Sequence, residues 1–525
     1  MDHIELIVFG LLLAVAGLAV LARAVGVPYP ITLVAGGAVI GFLPGVPTVE
    51  LDPDVVLLIF LPPLLYGAAF FTSVRELRRD ARSIATLAIP LVFATMTAVA
   101  IVVHEVVGLE WSESFVLGAI VSPTDAVAPA EIMRRVGAPR RLLAIIEGES
   151  LTNDWTALVL YRVAVAAVVS GSFTLWDAGL EFIASGIGGL AVGLAAGWLI
   201  RQVRSRLDDP PIEITISILS GYVGYLPAEE LGFSGVVAAV TTGLYMAWYT
   251  PQLTTPVLRL QTLAVWEILT FLLNALLFLL VGLQLPSIID SLQARAAGEL
   301  AFWGALVSAV VIGVRMAWVL MLPLVLRRVD RRESQRARRI PWEDRLVLGW
   351  AGIRGSVSLA AALAIPLRTD SGDPFPERDL IIFLAFMVIL VTLIGQGLTL
   401  GPVVHALDVE DDGTEGHEDT LARRRVAEAA LERLDELGEP EWISAESVGR
   451  ARQLYDYRER RFGALEDGAD ENFEDRADAW RRLMYELFDA QRQALLELRN
   501  QGEISDDVRR NVERDIDLEE TRIQN

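Results

Sequence analysis

The chain has 525 residues, 53% of them hydrophobic, a mean hydropathy of +0.44 and a formal charge of −22. That composition excludes an ordinary water-soluble protein, and the absence of cysteine excludes disulfides, thiol catalysis and thiolate metal sites. Lysine is also absent, and the four histidines (His3, His104, His405 and His417) are too scattered to suggest a metal site.

The first apolar run, LIVFGLLLAVAGLAVLA, starts almost at Met1 without a basic leader region or a small-residue cleavage signal, so it reads as a retained span. It carries no charge and is long enough to cross a hydrocarbon core of about 30 Å as a helix. Thirteen such segments are predicted, near 3–22, 28–45, 54–72, 83–105, 112–133, 149–171, 176–201, 210–228, 233–248, 260–284, 297–326, 343–367 and 379–403. Arginine collects in alternate loops: Arg75, Arg78, Arg79 and Arg82 after the third span, Arg134, Arg135, Arg140 and Arg141 after the fifth. Arg201, Arg204 and Arg206 follow the seventh, and a dense run between Arg327 and Arg345 follows the eleventh. The positive-inside rule then places the amino terminus outside and the carboxy-terminal tail in the cytoplasm.

Ionisable groups inside a membrane are costly unless paired or wet, so those in the spans are the functional candidates. Span five reads GAIVSPTDAVAPAEIM, with Asp125 near its centre between Pro123 and Pro129. Each proline removes an amide donor and clashes with the preceding turn, so the helix is expected to break. Broken backbone survives at membrane depth where it lines a cavity or packs on protein. A freed Thr124 carbonyl beside the Asp125 carboxylate suits a hard cation; the structural alternative is a bent helix with a hydrogen-bonded buried acid. Span six opens EGESLTND, with Ser150 and Asp154 four apart on one face and Glu149 and Asn153 on the next. Its alternative is a polar helix start at the interface. Span twelve repeats the interruption, with Gly352, Gly355 and Ser356 around Arg354. Spans five and twelve lie seven apart, the spacing of two inverted repeats, and paired interrupted helices point to a transporter site. The breaks aim helix dipoles at the midplane, where Arg354 can neutralise a carboxylate. Arg315 in span eleven and Arg162 in span six have no assignable partner, and Arg162 is expected to snorkel to an interface.

The tail changes character. From residue 408 onward 34 acidic residues face 18 arginines, leaving roughly −16 of the total charge there. DVEDDGTEGHED reads as a solvated linker, LARRRVAEAALERLDELGEPEW as a helix closed by Gly and Pro, and AWRRLMYELFDAQRQALLELRNQG as an amphipathic helix ending at Gly502. A regulatory cytoplasmic domain and an appendage serving assembly are both open. The expected architecture is thus an all-α polytopic membrane domain (1–405) with discontinuous helices, followed by an acidic helical tail (406–525).

Several stretches carry a family resemblance: LPPLLYGAAF at 61–70, SPTDAVA at 122–128, EGESLTND at 147–154, AEELGFSGVVAAV at 228–240, NALLFLLVGLQL at 274–285 and GIRGSVSLA at 352–360. Over roughly residues 5–405 the chain resembles the monovalent cation:proton antiporter-1 family of sodium/proton exchangers, the SPTD and ESLTND pair being the specific mark. The resemblance implies that Asp154 is the essential carboxylate binding cation and proton in turn. Asp125, Thr124 and Ser150 would complete a Na+ site, with Asn153 as the asparagine that precedes the essential aspartate. It further implies a structural ion pair between Glu149 and Arg354, a functional role for Arg315, and a homodimer. One departure stands out. Many relatives carry an acid two places after the Leu-Leu of LPPLL, and here that place is Gly67.

Burial disfavours a bare carboxylate, so a proton and a cation would compete to neutralise Asp154. That competition suffices for exchange by alternating access, with spans 4–6 and 11–13 rocking against the other helices. No cofactor beyond the transported ions and no nucleic-acid partner is expected, and no GxxxxGK[ST] nucleotide loop occurs. One cation for one proton is electroneutral; a further proton released by Asp125 makes the cycle electrogenic. Potassium is the rival to sodium. An intramembrane aspartyl protease is disfavoured because neither aspartate sits in a Tyr-Asp or Gly-x-Gly-Asp context, and a passive channel because the repeats and proton-competent acids suit a carrier.

Overall fold

A computed structural model describes residues 4–44, 53–171, 175–293, 295–329, 340–409, 413–438, 444–467 and 471–524. The chain divides into two compact units, Met1–Asp411 and Asp412–Asn525. Among the described residues the first unit is helical throughout, as expected where lipid offers the backbone no hydrogen bonds.

Its helices are α1 (Ile4–Val25), α2 (Tyr29–Gly41), α3 (Pro53–Phe71), the short α4 (Val74–Arg79) and α5 (Ala81–Ala88), and α6 (Pro90–Val102) with a π turn at Val103–Val107. There follow α7 (Trp111–Val121), α8 (Val127–Arg135), α9 (Arg140–Ser170), α10 (Leu175–Arg204), α11 (Pro210–Glu230), α12 (Gly235–Leu253), α13 (Pro256–Ser291) and α14 (Ala297–Val329). The unit closes with α15 (Trp342–Trp350), α16 (Ser356–Leu363), α17 (Arg378–Val391), a second π turn at Thr392–Gln396, and α18 (Gly397–Ala406). Every one of the thirteen apolar segments is occupied by a helix or by two half-helices, and six helices are long and apolar enough to cross a membrane on that ground alone. The starts of α11, α12 and α13 are fixed by side-chain caps. Asp209 accepts from the Ile212 amide ahead of Pro210, Ser234 from Val237, and Thr255 from Leu258 ahead of Pro256.

Two packing styles coexist. Helices α2 and α13 lie backbone to backbone, because a Cβ on Gly37 would sit 2.4 Å from Leu279 O and one on Gly282 2.4 Å from Val34 O. Small residues that let helices approach this closely take the place of the hydrophobic drive that lipid does not supply. Helices α3, α10, α11 and α12 gather in the same manner. Around α6, α7, α9, α14 and α17 the backbone is interrupted instead, at residues 122–126 between α7 and α8 and at 351–355 between α15 and α16. Outward stripes such as Phe9, Leu13 and Val20 on α1 and Ile183, Ile187 and Leu194 on α10 are exposed, as lipid-facing side chains are.

The second unit contains α19 (Thr414–Leu437), α20 (Ala445–Asp467), α21 (Glu471–Asn500) and α22 (Asp506–Gln524). Gly438 ends α19 and Gly502, at φ +74, turns the chain after α21. Helices α20 and α22 add to the two read from periodicity. Arg452–Asp435 ties α19 to α20, and Arg492 reaches Asp517 at 2.7 Å and also Glu520, joining α21 to α22, on which Phe488 and Ile516 are buried.

A candidate cation cavity at two crossed helix breaks

The two interruptions cross. The Asp125 amide donates to Ile353 O at 2.8 Å, linking the breaks through their backbones. The Asp125 carboxylate then spans the N-termini of two half-helices. Oδ1 accepts from the Val127 amide at 2.8 Å, and Oδ2 accepts from the Ser356 amide at 2.8 Å and the Ser356 hydroxyl at 3.2 Å. Free amides and the positive ends of helix dipoles favour an anion there. Gly355 is required for this approach, since a Cβ on it would fall 1.8 Å from Asp125 Oδ2.

The other side of the second break holds a cation. Arg315, from α14, passes over Gly352, where a Cβ would meet Arg315 Cδ at 2.1 Å. Its guanidinium donates to Leu348 O at 2.8 Å and Gly349 O at 3.2 Å, the carbonyls ending α15. It also forms a two-point ion pair with Glu149, Nη2 lying 3.0 Å from Oε2 and Nη1 against Oε1. The expected pairing of Glu149 with Arg354 is therefore corrected: Arg315 is Glu149's partner. Position 352 is glycine, so Arg315 has a clear path to Glu149, whereas the Arg354 amide is drawn to Thr392 Oγ1 at 3.1 Å in the π turn. Arg354 is buried, and its Nε and Nη1 have no hydrogen-bond partner among the described residues.

From Glu149 the network continues to Thr124, whose hydroxyl donates to Oε1 at 3.2 Å and accepts from Asn153 Nδ2 at 2.8 Å. Glu149 and Asn153 thus share the structural face of α9, and Asn153 Oδ1 is left buried without a partner. The neighbouring face carries Ser150 and Asp154 into a cavity of about 790 Å³. Asp154 is 8% exposed, and no hydrogen bond or ion pair reaches its carboxylate among the described residues. Thr124, Asp125, Ser150 and Asp154 all line this cavity.

Other expectations changed. Arg162 does not snorkel unpaired; it forms an ion pair with Glu229 of α11, whose Oε1 also accepts from the Gly235 amide at 2.8 Å. Arg204, counted among the loop arginines, is buried against Glu213 at 3.3 Å. At Gly67 an added Cβ would lie 2.9 Å from the Trp266 ring, so that wall is closed by an indole. Sequence reading missed Tyr29 and Ser358, which line the cavity, and Glu267, Thr270 and Asn274 on α13. Polar residues within an apolar run such as WEILTFLLNALLF were the available signal.

Half-helices holding a carboxylate at a cavity within a multi-pass helical unit are the arrangement of a membrane transporter of ions. The model for the transmembrane sodium/hydrogen exchanger family matches residues 10–406. An uncharacterized Na+/H+ exchanger of Mycobacterium tuberculosis is 39% identical over 530 residues, 98% of this chain and 97% of the relative. A sodium, potassium, lithium and rubidium/H+ antiporter of Bacillus subtilis is 32% identical over 421 residues, 78% of this chain and 62% of that protein. The sodium proton antiporter MjNhaP1 of Methanocaldococcus jannaschii shares the fold, with a TM-score of 0.61 and 21% identity, covering 78% of this chain and 99% of that one. The chain belongs to the sodium/hydrogen exchanger family, whose members are transporters exchanging cations for protons.

Proposed function

We propose that this protein exchanges Na+ for H+ across the cytoplasmic membrane, with Asp154 binding one or the other in turn. The observation that carries the reading is the bare Asp154 carboxylate at the cavity wall, one turn from Ser150, whereas the Asp125 carboxylate is held by helix amides and Glu149 by Arg315. A buried carboxylate without donors is neutralised by a proton or a cation, not by both. Asp125, Ser150 and a Thr124 oxygen supply further oxygen ligands of the kind a hard cation takes. Thr124's hydroxyl is already committed to Glu149 and Asn153, which leaves its carbonyl for that role.

The cavity mouth carries Thr72, Arg134, Arg135 and Glu147, from the arginine-rich loops assigned to the cytoplasm. The proposed state is therefore inward-open, with the amino terminus outside and the acidic tail in the cytoplasm. Alternating access closes this mouth by moving the half with the broken helices against the other. Exchange of one Na+ for one H+ leaves the site's charge unchanged and needs no cofactor. Homodimeric assembly rests on the resemblance alone, and no step uses it. K+/H+ exchange is the second reading, favoured by the cations in the Bacillus relative's name. Reconstituted protein should dequench a pH-sensitive dye on addition of Na+, and Asp154→Asn should abolish the signal while melting normally. Exchange persisting in that variant would refute the mechanism, and a larger response to K+ than to Na+ would decide for the second reading.

A further inference from the structure

Five carboxylates line the cavity: Asp125, Glu131, Glu147, Asp154 and Glu267. Asp125 is held by amides, Glu131 is paired with Arg135, and Glu147 with Arg134 at 2.6 Å. Among the described residues no ion pair or hydrogen bond reaches Glu267, which leaves it, on α13, and Asp154, on α9, as the two uncompensated acids lining the cavity. Glu267 sits about three turns into α13, beside the exposed apolar Ile268. An unpaired carboxylate amid such neighbours needs water around it, and the cavity it lines has room for water.

Glu267 is not isolated on its helix. Thr270 and Asn274 follow at the i+3 and i+7 positions and line the same cavity. The three cover about 10 Å along the axis at 1.5 Å per residue, running from the exposed Glu267 to the buried Asn274. Asn274 is 2% exposed, and its Oδ1 is buried with no hydrogen-bond partner among the described residues. An orphaned amide oxygen in an apolar helix is costly until a hydrogen-bond donor, a water or a cation reaches it. Opposite, α3 approaches closely at Gly67, where a Cβ would lie 2.9 Å from the Trp266 ring and 3.8 Å from Thr270 Oγ1.

We infer that Glu267, Thr270 and Asn274 form an oxygen track on α13 along which the monovalent cation is captured and handed to the Asp154 site. Glu267 collects the hydrated ion, and the Asn274 carbonyl replaces water ligands next to the site. Oxygen-only ligands without a second fixed anion beside Asn274 bind a monovalent ion weakly, as a passage requires. The track rests on the antiport reading but is a separate claim about entry and recognition, carried by a helix outside the two breaks.

The test uses full-length protein in proteoliposomes, with exchange measured against Na+ concentration at low and high ionic strength. Glu267→Gln should raise KM for Na+ about fivefold with kcat unchanged. The shift should shrink as added choline chloride screens the charge, and Glu267→Asp should restore most of the affinity. Asn274→Leu, which keeps the volume, should raise KM with melting unchanged or improved, because a buried unsatisfied group is removed. An unchanged KM in both variants overturns the track, as does a loss of kcat alone in Glu267→Gln. The antiport reading then still stands provided Asp154→Asn is inactive; if that variant transports, the reading itself has failed.

Discussion

The two halves of the membrane unit solve the same problem in opposite ways. Where α2 meets α13, helices run uninterrupted, and glycines bring their backbones into contact. Where α7–α8 crosses α15–α16, the helices stop and restart, and the freed amides and carbonyls grip ions: Asp125 at the N-termini of α8 and α16, Arg315 at the C-terminus of α15. The difference teaches that charge held by backbone groups at membrane depth collects at irregular backbone, since there the chain offers unspent donors and acceptors. The continuous half has its own buried pair, Arg204–Glu213, but it lies at helix ends, and Arg204 Nη1 and Nη2 find no partner. Regular helices can house an ion pair; they do not surround it with donors.

The sharpest break of that contrast is the loss of transport already expected for Asp154→Asn. Next in size is the Glu149–Arg315 pair. Removing one member of a buried pair strands the other, typically at about 3–5 kcal/mol. Arg315→Met and Glu149→Gln should therefore lower the melting temperature strongly, and Arg354→Met distinctly less, because among the described residues Arg354 forms no ion pair. Equal losses for Arg315→Met and Arg354→Met would reverse the assignment. Paired glycine substitutions come third. Gly355→Ala drives a methyl into Asp125 and Gly282→Ala one into Val34 O, each an overpacking of about 1–3 kcal/mol. Both should melt earlier, yet Gly355→Ala should lose exchange activity out of proportion to its stability, and Gly282→Ala should not. The smallest effect is Arg162→Gln. Its pair with Glu229 is a third exposed on each side, so the change should cost less than about 1 kcal/mol in thermal unfolding.

Much of the site was readable from residue type and spacing. The break at Asp125 follows from Pro123 and Pro129, and the two faces of α9 follow from 3.6-residue periodicity, which put Ser150 with Asp154 and Glu149 with Asn153. The partner of Glu149 was not readable. Arg315 and Arg354 are both arginines on spans able to reach it, and the choice turned on a side chain crossing a glycine 37 residues further along the chain, at Gly352. Glu267 and Asn274 escaped notice for a related reason: a polar residue inside an apolar helix looks alike whether it faces lipid, a neighbour or a cavity.

By itself, the sequence determined which stretches are helical and where the helices break, because hydrophobic runs and prolines act within a turn or two of where they stand. It also separated the apolar unit from the acidic tail, a matter of composition alone. Tertiary structure decided what each polar group touches: Asp125 on two helix N-termini, Arg315 on Glu149, Trp266 over Gly67, and Asp154 on nothing but the cavity. Those outcomes depend on helices distant in sequence meeting within a few ångströms, and no local pattern records that distance.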